Sequence, residues 1–226
     1  MGVSETELWF ERDPRALRAL ETTLQRGYPT LHAFAEDGVC HVRGSIEIIS
    51  GDRYFVDIAL PANYPHAAPS VWETADRIPR ELERHTFPDG SLCLGTPLSL
   101  WLDLQGDFSI DKVIDIALRN FLVGNSLVEE GKPWPYGDRE HGSAGIVEHF
   151  GELIGTTDPA AIGKFLLALM DRTVRGHWDC PCGSGLVIRK CHRKAVERLR
   201  NAPYGLLRHA AEMMVQELKR RREQAA

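Results

Sequence analysis

Four residues of types that bind metal ions lie in one short stretch, and they constrain how that part of the chain can fold. Cys180 and Cys182 are separated by one residue, and Cys191 and His192 are adjacent. Glycines after the first pair permit the sharp backbone turn that would bring the two pairs together. Three thiols and one imidazole make a tetrahedral ligand set for zinc. We expect a structural zinc ion rather than a disulfide or unbound thiols, and four protein ligands leave no position for a catalytic water.

The other two cysteines, Cys40 and Cys93, stand apart from this cluster. An odd total of five cysteines, three of them beside one histidine, is not the pattern of a disulfide framework. It indicates a reducing compartment, and we expect a cytoplasmic protein. The first residues are acidic and polar, unlike a secretory signal, and no apolar run reaches the roughly 18 residues that span a bilayer. We therefore expect no membrane segment.

Charge divides the sequence into an acidic body and a basic end. Residues 186–226 contain 11 Lys and Arg against 4 Asp and Glu, whereas the other residues contain 16 against 28, within totals of 27 and 32. A nucleic-acid-binding domain is usually basic over its main body, so nucleic acid is not an expected partner. The basic end is interpreted as a helix that docks a partner, docks an acidic face of the same chain, or is solvated.

In the first half of the chain, the sequence pattern predicts a helix followed by β-strands. A helix is predicted from Asp13-Pro14 to Gly27, because Asp and Pro favour a helix start and leucines recur at helical spacing. Residues 40–49 and 53–60 alternate around a Ser-Gly-Asp turn, which predicts a β-hairpin. Residues 70–73 predict a third strand. Because the strands follow one another instead of alternating with helices, the fold class is α+β with an antiparallel sheet.

The remaining segments are predicted with less regular patterns. Residues 74–107 predict a long surface path, which is uncommon in compact domains unless it has a function. A helix is predicted from Ser109 through Phe121, and residues 131–142 are typical of a linker. One further helix is predicted after Asp158, which would cap its N-terminus, and another is predicted over residues 203–222.

One cysteine on the predicted surface path lies in a recognisable order of motifs. Cys93 ends the Gly-Ser-Leu-Cys part of residues 90–94, with His85 eight residues before it and Trp101 eight residues after it. Tyr64-Pro65 and Ala68-Pro69 precede the third predicted strand. An isolated cysteine is commonly a small buried residue. The order of these motifs, however, resembles the ubiquitin-conjugating enzymes over residues 13–127, with Ala68 replacing one proline of their pattern.

The resemblance implies a fold and an activity. It implies that Cys93 carries a ubiquitin-like modifier, or another protein C-terminus, as a thioester and passes it to an amine. The implied partners are an activating enzyme and a target protein. His85 would orient the loop or donate a hydrogen bond to the oxyanion. Thr86-Phe87 stand where the family has Pro and Asn, and such departures resemble the bacterial ubiquitin-conjugating-like proteins of antiphage defence operons.

Other candidate residues have less specific signals. Polar residues near the end of the helix after Cys93 are candidates for receiving the incoming lysine: Asn125, Ser126, Glu129 and Glu130. Tyr136 and His141 lie in the predicted linker and are weaker candidates, and Cys40 is predicted to be a core residue. We expect a ubiquitin-conjugating-like catalytic domain over residues 1–130, a linker and extension over 131–156, and a helical zinc-motif region over 157–226.

The carboxyl-terminal cluster carries a second resemblance. Residues 180–192 resemble the SEC-C zinc motif, known from the end of the SecA translocation motor, with its Cys-x-Cys pair and a later Cys-His pair. Three other functions remain open beside the acyl-carrying enzyme. The chain is alternatively a non-catalytic binding adaptor of the same fold, a zinc-knuckle adaptor in which Cys93 is incidental, or a hydrolytic enzyme with a Cys93–His85 dyad.

Overall fold

The structure is a computed structural model that describes residues 9–49, 51–136, 143–171 and 174–225. These residues confirm the α+β class, with helices and a four-stranded antiparallel sheet. The chain divides into two units, the first ending at Tyr136 and the second beginning at Gly137. The four strands all belong to the first unit.

The first unit begins with two helices, α1 (Trp9–Arg12) and α2 (Pro14–Gly27). The side chain of Asp13 accepts hydrogen bonds from the amides of Arg15 and Ala16 at 3.0 and 3.3 Å, so it caps α2 as its sequence predicts. Leu20 and Leu24 are buried on one face of this helix. The predicted helix is confirmed with its boundaries.

The sheet contains β1 (Leu31–Glu36), β2 (Val39–Ile49), β3 (Asp52–Leu60) and β4 (Ser70–Glu73), paired in that order. The predicted hairpin is β2 and β3, and the predicted third strand is β4. Strand β1 was not predicted, because apolar and polar side chains alternate only weakly along it. Its signal was Asp37-Gly38, whose φ angles of 49° and 76° make the tight turn into β2.

One face of the sheet forms the main core of the first unit. Cys40 is 1% exposed in this core, as predicted, beside Val42 and Ile58. A long helical run packs against the same face and consists of α4 (Ile110–Lys112), a π-helical segment (Val113–Leu118) and α5 (Arg119–Glu129). This run is the helix predicted after Ser109, and it extends further than Phe121.

The prediction of a surface path over residues 74–107 is wrong for part of its length. It contains a 3₁₀ turn (Leu82–Arg84) and an unpredicted helix, α3 (Pro97–Asp103), whose N-terminus is capped by Thr96. Every leucine of α3 is buried, and one of them, Leu100, joins Leu104 in a second apolar cluster. The helix is too short for periodicity to reveal it.

The second unit is helical in the part of the chain that the structure describes. It contains α6 (Ser143–Ile154), α7 (Pro159–Met170), a 3₁₀ turn (Ile188–Lys190), α8 (Arg193–Leu199) and α9 (Tyr204–Gln224). Asp158 caps α7 as predicted, accepting hydrogen bonds from two amides at 3.0 and 3.3 Å. Helix α6 lies within the stretch expected to be linker and extension. Phe150 of α6, Phe165 of α7 and Met214 of α9 are buried in the core of this unit.

Among the described residues, no single helix has both the length and the apolar composition needed to cross a membrane. Helices α6 and α7 satisfy that requirement only when they are taken together, and they are bent by 70° at the break between them. Apolar side chains of α7, among them Ile162 and Leu166, are buried inside the second unit.

Candidate functional site

Cys93 lies on a tight hairpin that the chain forms after the 3₁₀ turn. Phe87 donates its backbone N–H to the carbonyl of Ser91 at 2.8 Å, and Thr86 pairs with Leu92 in an antiparallel bridge. The register continues one step further, where Cys93 donates its N–H to the carbonyl of His85 at 2.8 Å. The hairpin therefore places His85 opposite Cys93, and the structure brings these two predicted site residues together through their backbones.

The turn of this hairpin is closed by local hydrogen bonds. The carboxylate of Asp89 accepts from the Ser91 amide at 2.9 Å and from the Ser91 hydroxyl at 2.7 Å. These bonds hold the pKa of Asp89 below its usual value. Gly90 has a φ of 83°, a conformation that favours glycine. The sequence Pro-Asp-Gly thus dictates the reversal that precedes the cysteine.

The core anchors the hairpin on one side. Leu92 is 6% exposed and donates its N–H to the carbonyl of Val71 in β4 at 2.7 Å. Ser91 also bridges to Trp72 of the same strand. Because Leu92 is fixed in the core, the next residue, Cys93, emerges from a rigid edge of the sheet.

Cys93 itself is partly exposed. Burial of much of its surroundings raises the pKa of the Cys93 thiol, and a hydrogen bond from the backbone of Gly95 opposes that shift only in part. The thiol is therefore mainly protonated near neutral pH. The residue is partly exposed, but its environment does not activate the thiolate by itself.

His85 adopts an unusual backbone conformation. Its φ of 54° lies in the left-handed region, where non-glycine residues are uncommon. Its N–H donates to the carbonyl of Leu82 at 2.9 Å, while its carbonyl accepts from Cys93. Its ring lies over the indole of Trp134, with centroids 4.3 Å apart. Of the two roles considered for His85, the backbone contact that holds the loop is present in the structure, and a hydrogen bond to an oxyanion stays a prediction.

The two residues that replace the family's Pro and Asn do not supply a side-chain donor at this site. Thr86 is 3% exposed, and its hydroxyl lies 2.9 Å from each of the carbonyls of Pro79 and Glu81. Phe87 is half-exposed but has no polar side-chain atom. The resemblance is thus weakest where an oxyanion donor is expected.

Two other residues of the resembling motifs, Tyr64 and Trp101, have contacts within the first unit. The hydroxyl of Tyr64 accepts the N–H of Ile110 at 2.9 Å, and burial raises the pKa of Tyr64 to about 12. Trp101 in α3 packs against the turn at Gly106, where a Cβ atom would lie 3.0 Å from the indole. Both side chains therefore have packing roles at the positions that the resemblance singled out.

The polar residues expected to receive a lysine are held in an ion-pair network. Asn125 is fully buried, and its side-chain oxygen accepts from the guanidinium of Arg84 at 2.9 Å. Ser126 donates to Asp52 at 2.5 Å, and Glu129 pairs with Arg77 at 2.8 Å. Their polar atoms are engaged in joining α5 to β3 and to the 3₁₀ turn.

The remaining weak candidates lie nearby in sequence. Glu130 pairs with Lys132 at 2.6 Å on the surface. Tyr136 is half-exposed and contacts the edge of Trp134, with ring centroids 5.8 Å apart. His141 lies outside the described residues. Trp134 was not predicted to have a role, and its only signal was its place in the Trp-Pro-Tyr-Gly sequence of the predicted linker.

The second site is the cysteine–histidine cluster of the second unit. The ligand atoms of Cys180, Cys182, Cys191 and His192 all lie within 4.8 Å of one another. His192 Nδ1 is 3.2 Å from the sulfur of Cys180 and 3.1 Å from that of Cys191, and the sulfurs of Cys182 and Cys191 are 3.6 Å apart. In the part of the chain that the structure describes, this is the one group found that could hold a metal ion.

A small hairpin assembles this cluster. Cys180 donates its N–H to the carbonyl of Leu186 at 2.8 Å, and Asp179 bridges to Val187. The 3₁₀ turn after this hairpin contains the buried side chain of Ile188 and returns the chain to Cys191. The pairs of ligands are thus close because a short hairpin connects them, as the glycines between them predicted.

The imidazole of His192 is oriented by the rest of the unit. Its Nε2 lies 2.7 Å from the carbonyl of Ile154 at the end of α6, so Nε2 carries the proton and donates it to that carbonyl. Nδ1, which faces the cysteines, is left with its lone pair. Such an outer hydrogen bond is typical of histidines that bind metals.

The thiols of this cluster differ in acidity. Burial raises the pKa of Cys180 to about 12. Burial acts in the same direction on Cys182, but hydrogen bonds with Ser184, Cys180 and Cys191 together outweigh it and lower the pKa of Cys182 to about 6. The cluster therefore already favours negative charge on one sulfur, which suits it to a cation.

No protein-family profile, no curated protein and no solved structure matches this chain. The function must therefore be argued from the two sites themselves. The first site is a partly exposed thiol opposite a histidine on a rigid hairpin, and the second is a convergent group of three thiols and an imidazole.

Proposed function

We propose that this chain is a ubiquitin-conjugating-like acyl transferase that carries a protein C-terminus, such as that of a ubiquitin-like modifier, as a thioester on Cys93. The observation that carries the proposal is the position of Cys93, partly exposed on a hairpin anchored in the core and opposite His85. The order of a helix, an antiparallel sheet, this hairpin and a long helical run supports the same fold family.

The chemistry proceeds in two balanced steps. The Cys93 sulfur, deprotonated as it reacts, attacks the carbonyl of a tail held as a thioester on the activating enzyme. A new carbon–sulfur bond forms, and the donor sulfur leaves and takes up a proton. In the second step an amine attacks the Cys93 thioester, an amide forms, and the cysteine thiol is restored. Exchange between two thioesters is nearly isoenergetic, so the first step needs little general-base catalysis.

The raised pKa of Cys93 has a consequence for the free protein. A protonated thiol reacts slowly with oxidants and small electrophiles. In the proposed cycle the activated donor supplies the driving force, and His85 orients the hairpin or donates to the oxyanion. The pathway proposed is bacterial conjugation in antiphage defence, in the cytoplasm, with an activating enzyme and a target protein as partners. It rests on the departures of this chain from the eukaryotic pattern, which are Thr86-Phe87 and the shorter loop from His85 to Cys93.

The test is formation of a thiol-sensitive adduct. We would incubate the full chain with an activating enzyme, ATP and a ubiquitin-like modifier, and separately with a mercaptoethanesulfonate thioester of a peptide ending in Gly-Gly. Non-reducing gels and intact mass should show an adduct that dithiothreitol removes. Cys93→Ala should lose it, Cys93→Ser should give a thiol-resistant ester, and Cys40→Ala should behave as the native chain. An adduct that persists in Cys93→Ala overturns the proposal.

A non-catalytic binding adaptor of the same fold is the second candidate. The observation that favours it is the site beside Cys93. There, Thr86 is buried with its hydroxyl bonded to the carbonyl of Pro79, and Phe87 has no side-chain donor. An adaptor would bind a modifier without forming the adduct. Native chain that binds a modifier already charged on its activating enzyme, yet never receives it, would support this alternative.

We propose that the metal of the second unit is zinc, in a structural role. Zinc–sulfur and zinc–nitrogen bonds of about 2.3 and 2.0–2.1 Å in a tetrahedron correspond to separations of about 3.5–3.8 Å between ligand atoms. Three of the six separations, at 3.1, 3.2 and 3.6 Å, are close to these or slightly shorter, and all six are within 4.8 Å. Four protein ligands fill the tetrahedron, so the ion would tie the knuckle of residues 180–192 together and make it a docking module.

Elemental analysis of the chain, purified without chelator, should find zinc in near-equimolar amount. Replacement by cobalt should give the intense absorption of cobalt–thiolate bonds, which His192→Ala should alter and which Cys40→Ala should not. Clearly substoichiometric metal in the native chain would count against a zinc site, whatever the result for Cys93.

A further inference from the structure

Trp134 covers the histidine of the Cys93 site. The indole lies 4.3 Å from the His85 ring, centroid to centroid, with the planes inclined by 36°. On another side it contacts Phe121 of α5 edge to face, at 5.7 Å. Trp134 is partly buried against the main core, whereas residues 131–133 and 135–136 on either side of it are exposed. The segment of residues 131–136 thus returns along α5 and places an indole on His85.

A glycine inside α5 provides the space for this indole. Gly124 is buried, and a Cβ atom built there would lie 2.6 and 2.7 Å from two carbons of the Trp134 ring. Glycine inside a helix costs about 1 kcal/mol relative to alanine, so its presence here needs a reason. By contrast, a Cβ atom at Gly163 in α7 would make an ordinary 3.5 Å contact with Met214.

The indole acts on a residue whose backbone is already constrained. His85 has a left-handed φ of 54°, and hydrogen bonds hold its N–H to Leu82 and its carbonyl to Cys93. Sparsely populated backbone conformations persist where the surroundings over-determine them, and they cluster at functional sites. The inclined indole, 4.3 Å away, lies against the imidazole and restricts its rotation.

We propose that Trp134 is a positioning residue for the Cys93 site. It holds the His85 imidazole in one orientation and, through the backbone of His85, restrains the hairpin arm that carries Cys93. Gly124 is required because any side chain there would displace the indole. The catalytic significance of this positioning rests on the proposed function of Cys93, whereas the positioning itself does not.

The experiment is a double-mutant cycle between Gly124→Ala and Trp134→Ala in the full chain. Two readouts need no acyl donor: the NMR shifts of the His85 ring protons, which a stacked indole moves by its ring current, and the rate of Cys93 alkylation by iodoacetamide. Gly124→Ala should abolish the ring-current shift. It should also raise the alkylation rate on the order of tenfold, because local opening becomes easier. Gly163→Ala, the matched helical control, should change neither.

The cycle distinguishes positioning from general destabilisation. In the Trp134→Ala background, Gly124→Ala should have no further effect, because there is no indole to displace. Trp134→Phe should restore much of the ring-current shift and of the slow alkylation. An unchanged His85 spectrum in Gly124→Ala, or an equal effect of Gly124→Ala with and without Trp134, overturns the proposal. If Trp134→Ala does not fold, Trp134→Phe and Gly124→Ala alone carry the test.

Failure here and failure of the proposed function are separable. If the native chain never forms the thioester adduct, the proposed function fails, but the His85 chemical shifts and the alkylation rates still test the position of Trp134. Conversely, a normal adduct with unchanged His85 signals in Gly124→Ala would retain the acyl-carrying role of Cys93 and reject the role of Trp134.

Discussion

The Cys93 hairpin and the cysteine–histidine knuckle use the same thiol group in opposite surroundings. At Cys93 one thiol receives a hydrogen bond from the backbone of Gly95, and burial raises its pKa. At the knuckle three sulfurs and a ring nitrogen converge, and hydrogen bonds with Ser184, Cys180 and Cys191 lower the pKa of Cys182 to about 6. A single partly exposed cysteine suits a covalent bond to one partner, whereas convergent donors suit a cation.

The two regions also differ in what holds them in place. The hairpin is joined to β4 and is anchored by Leu92, which belongs to the main core. The knuckle is a short loop whose buried side chains are few, among them Cys180 and Ile188. A region with so small a core would gain much of its stability from a bound metal ion. We therefore expect metal loss to affect the knuckle and to leave the hairpin intact.

The largest effect is expected from removing a metal ligand. Structural zinc contributes roughly 10–16 kcal/mol of apparent binding free energy in isolated zinc fingers, so Cys180→Ser should lose metal and expose residues 180–192 to hydrogen exchange. The alkylation rate of Cys93 should stay unchanged. Peptide-resolved hydrogen exchange and metal analysis check this, with Cys40→Ala as a control that keeps its metal. Faster alkylation of Cys93 in Cys180→Ser would show that the two sites are not independent.

The next effect is expected at the anchor of the hairpin. Leu92→Ala should lower the free energy of unfolding of the first unit by about 2–5 kcal/mol, because it removes a buried leucine. It should also speed alkylation of Cys93. Leu82→Ala is the matched control, since Leu82 is 56% exposed on the turn before the hairpin, and we expect a change within about 0.5 kcal/mol. Denaturant unfolding followed by tryptophan fluorescence measures both, and equal losses would contradict the anchoring role.

The third effect is a pH dependence. Because burial raises the pKa of Cys93, the thiolate fraction should increase with pH and should not level off at the usual cysteine pKa of about 8.5. The alkylation rate of Cys93 should therefore rise about tenfold per pH unit up to that pH and continue to rise above it. Site-resolved mass spectrometry separates Cys93 from the other thiols. A plateau at or below pH 7 would mean that the thiol is activated in the free protein.

The smallest effects are expected at the two helix caps, one in each unit. Asp13 and Asp158 accept hydrogen bonds from the first amides of α2 and α7. Their replacement by alanine should each cost about 1 kcal/mol, and replacement by asparagine should cost little because asparagine caps equally well. Hydrogen exchange should show each loss within its own unit. A loss from Asp158→Ala that spreads to α2 would contradict this expectation.

Local signals made much of the fold predictable. The Asp-Pro caps, the Ser-Gly-Asp turn and the alternation of residues 53–60 act over a few residues, and α2, α7 and the hairpin of β2 and β3 followed from them. Strand β1 and helices α1, α3, α6 and α8 were missed. Their patterns are short or weak, and each is stabilised by apolar burial against distant parts of its own unit, as Leu31 and Phe150 show.

The four knuckle donors could be identified from local sequence, because a short hairpin must bring neighbours together, and so could the tight turn before Cys93. Packing between distant segments places Trp134 on His85, leaves room for it at Gly124, and engages Asn125 and Ser126 in a buried network. Contacts between residues far apart in sequence depend on how helices and strands pack, and no local pattern encodes that packing.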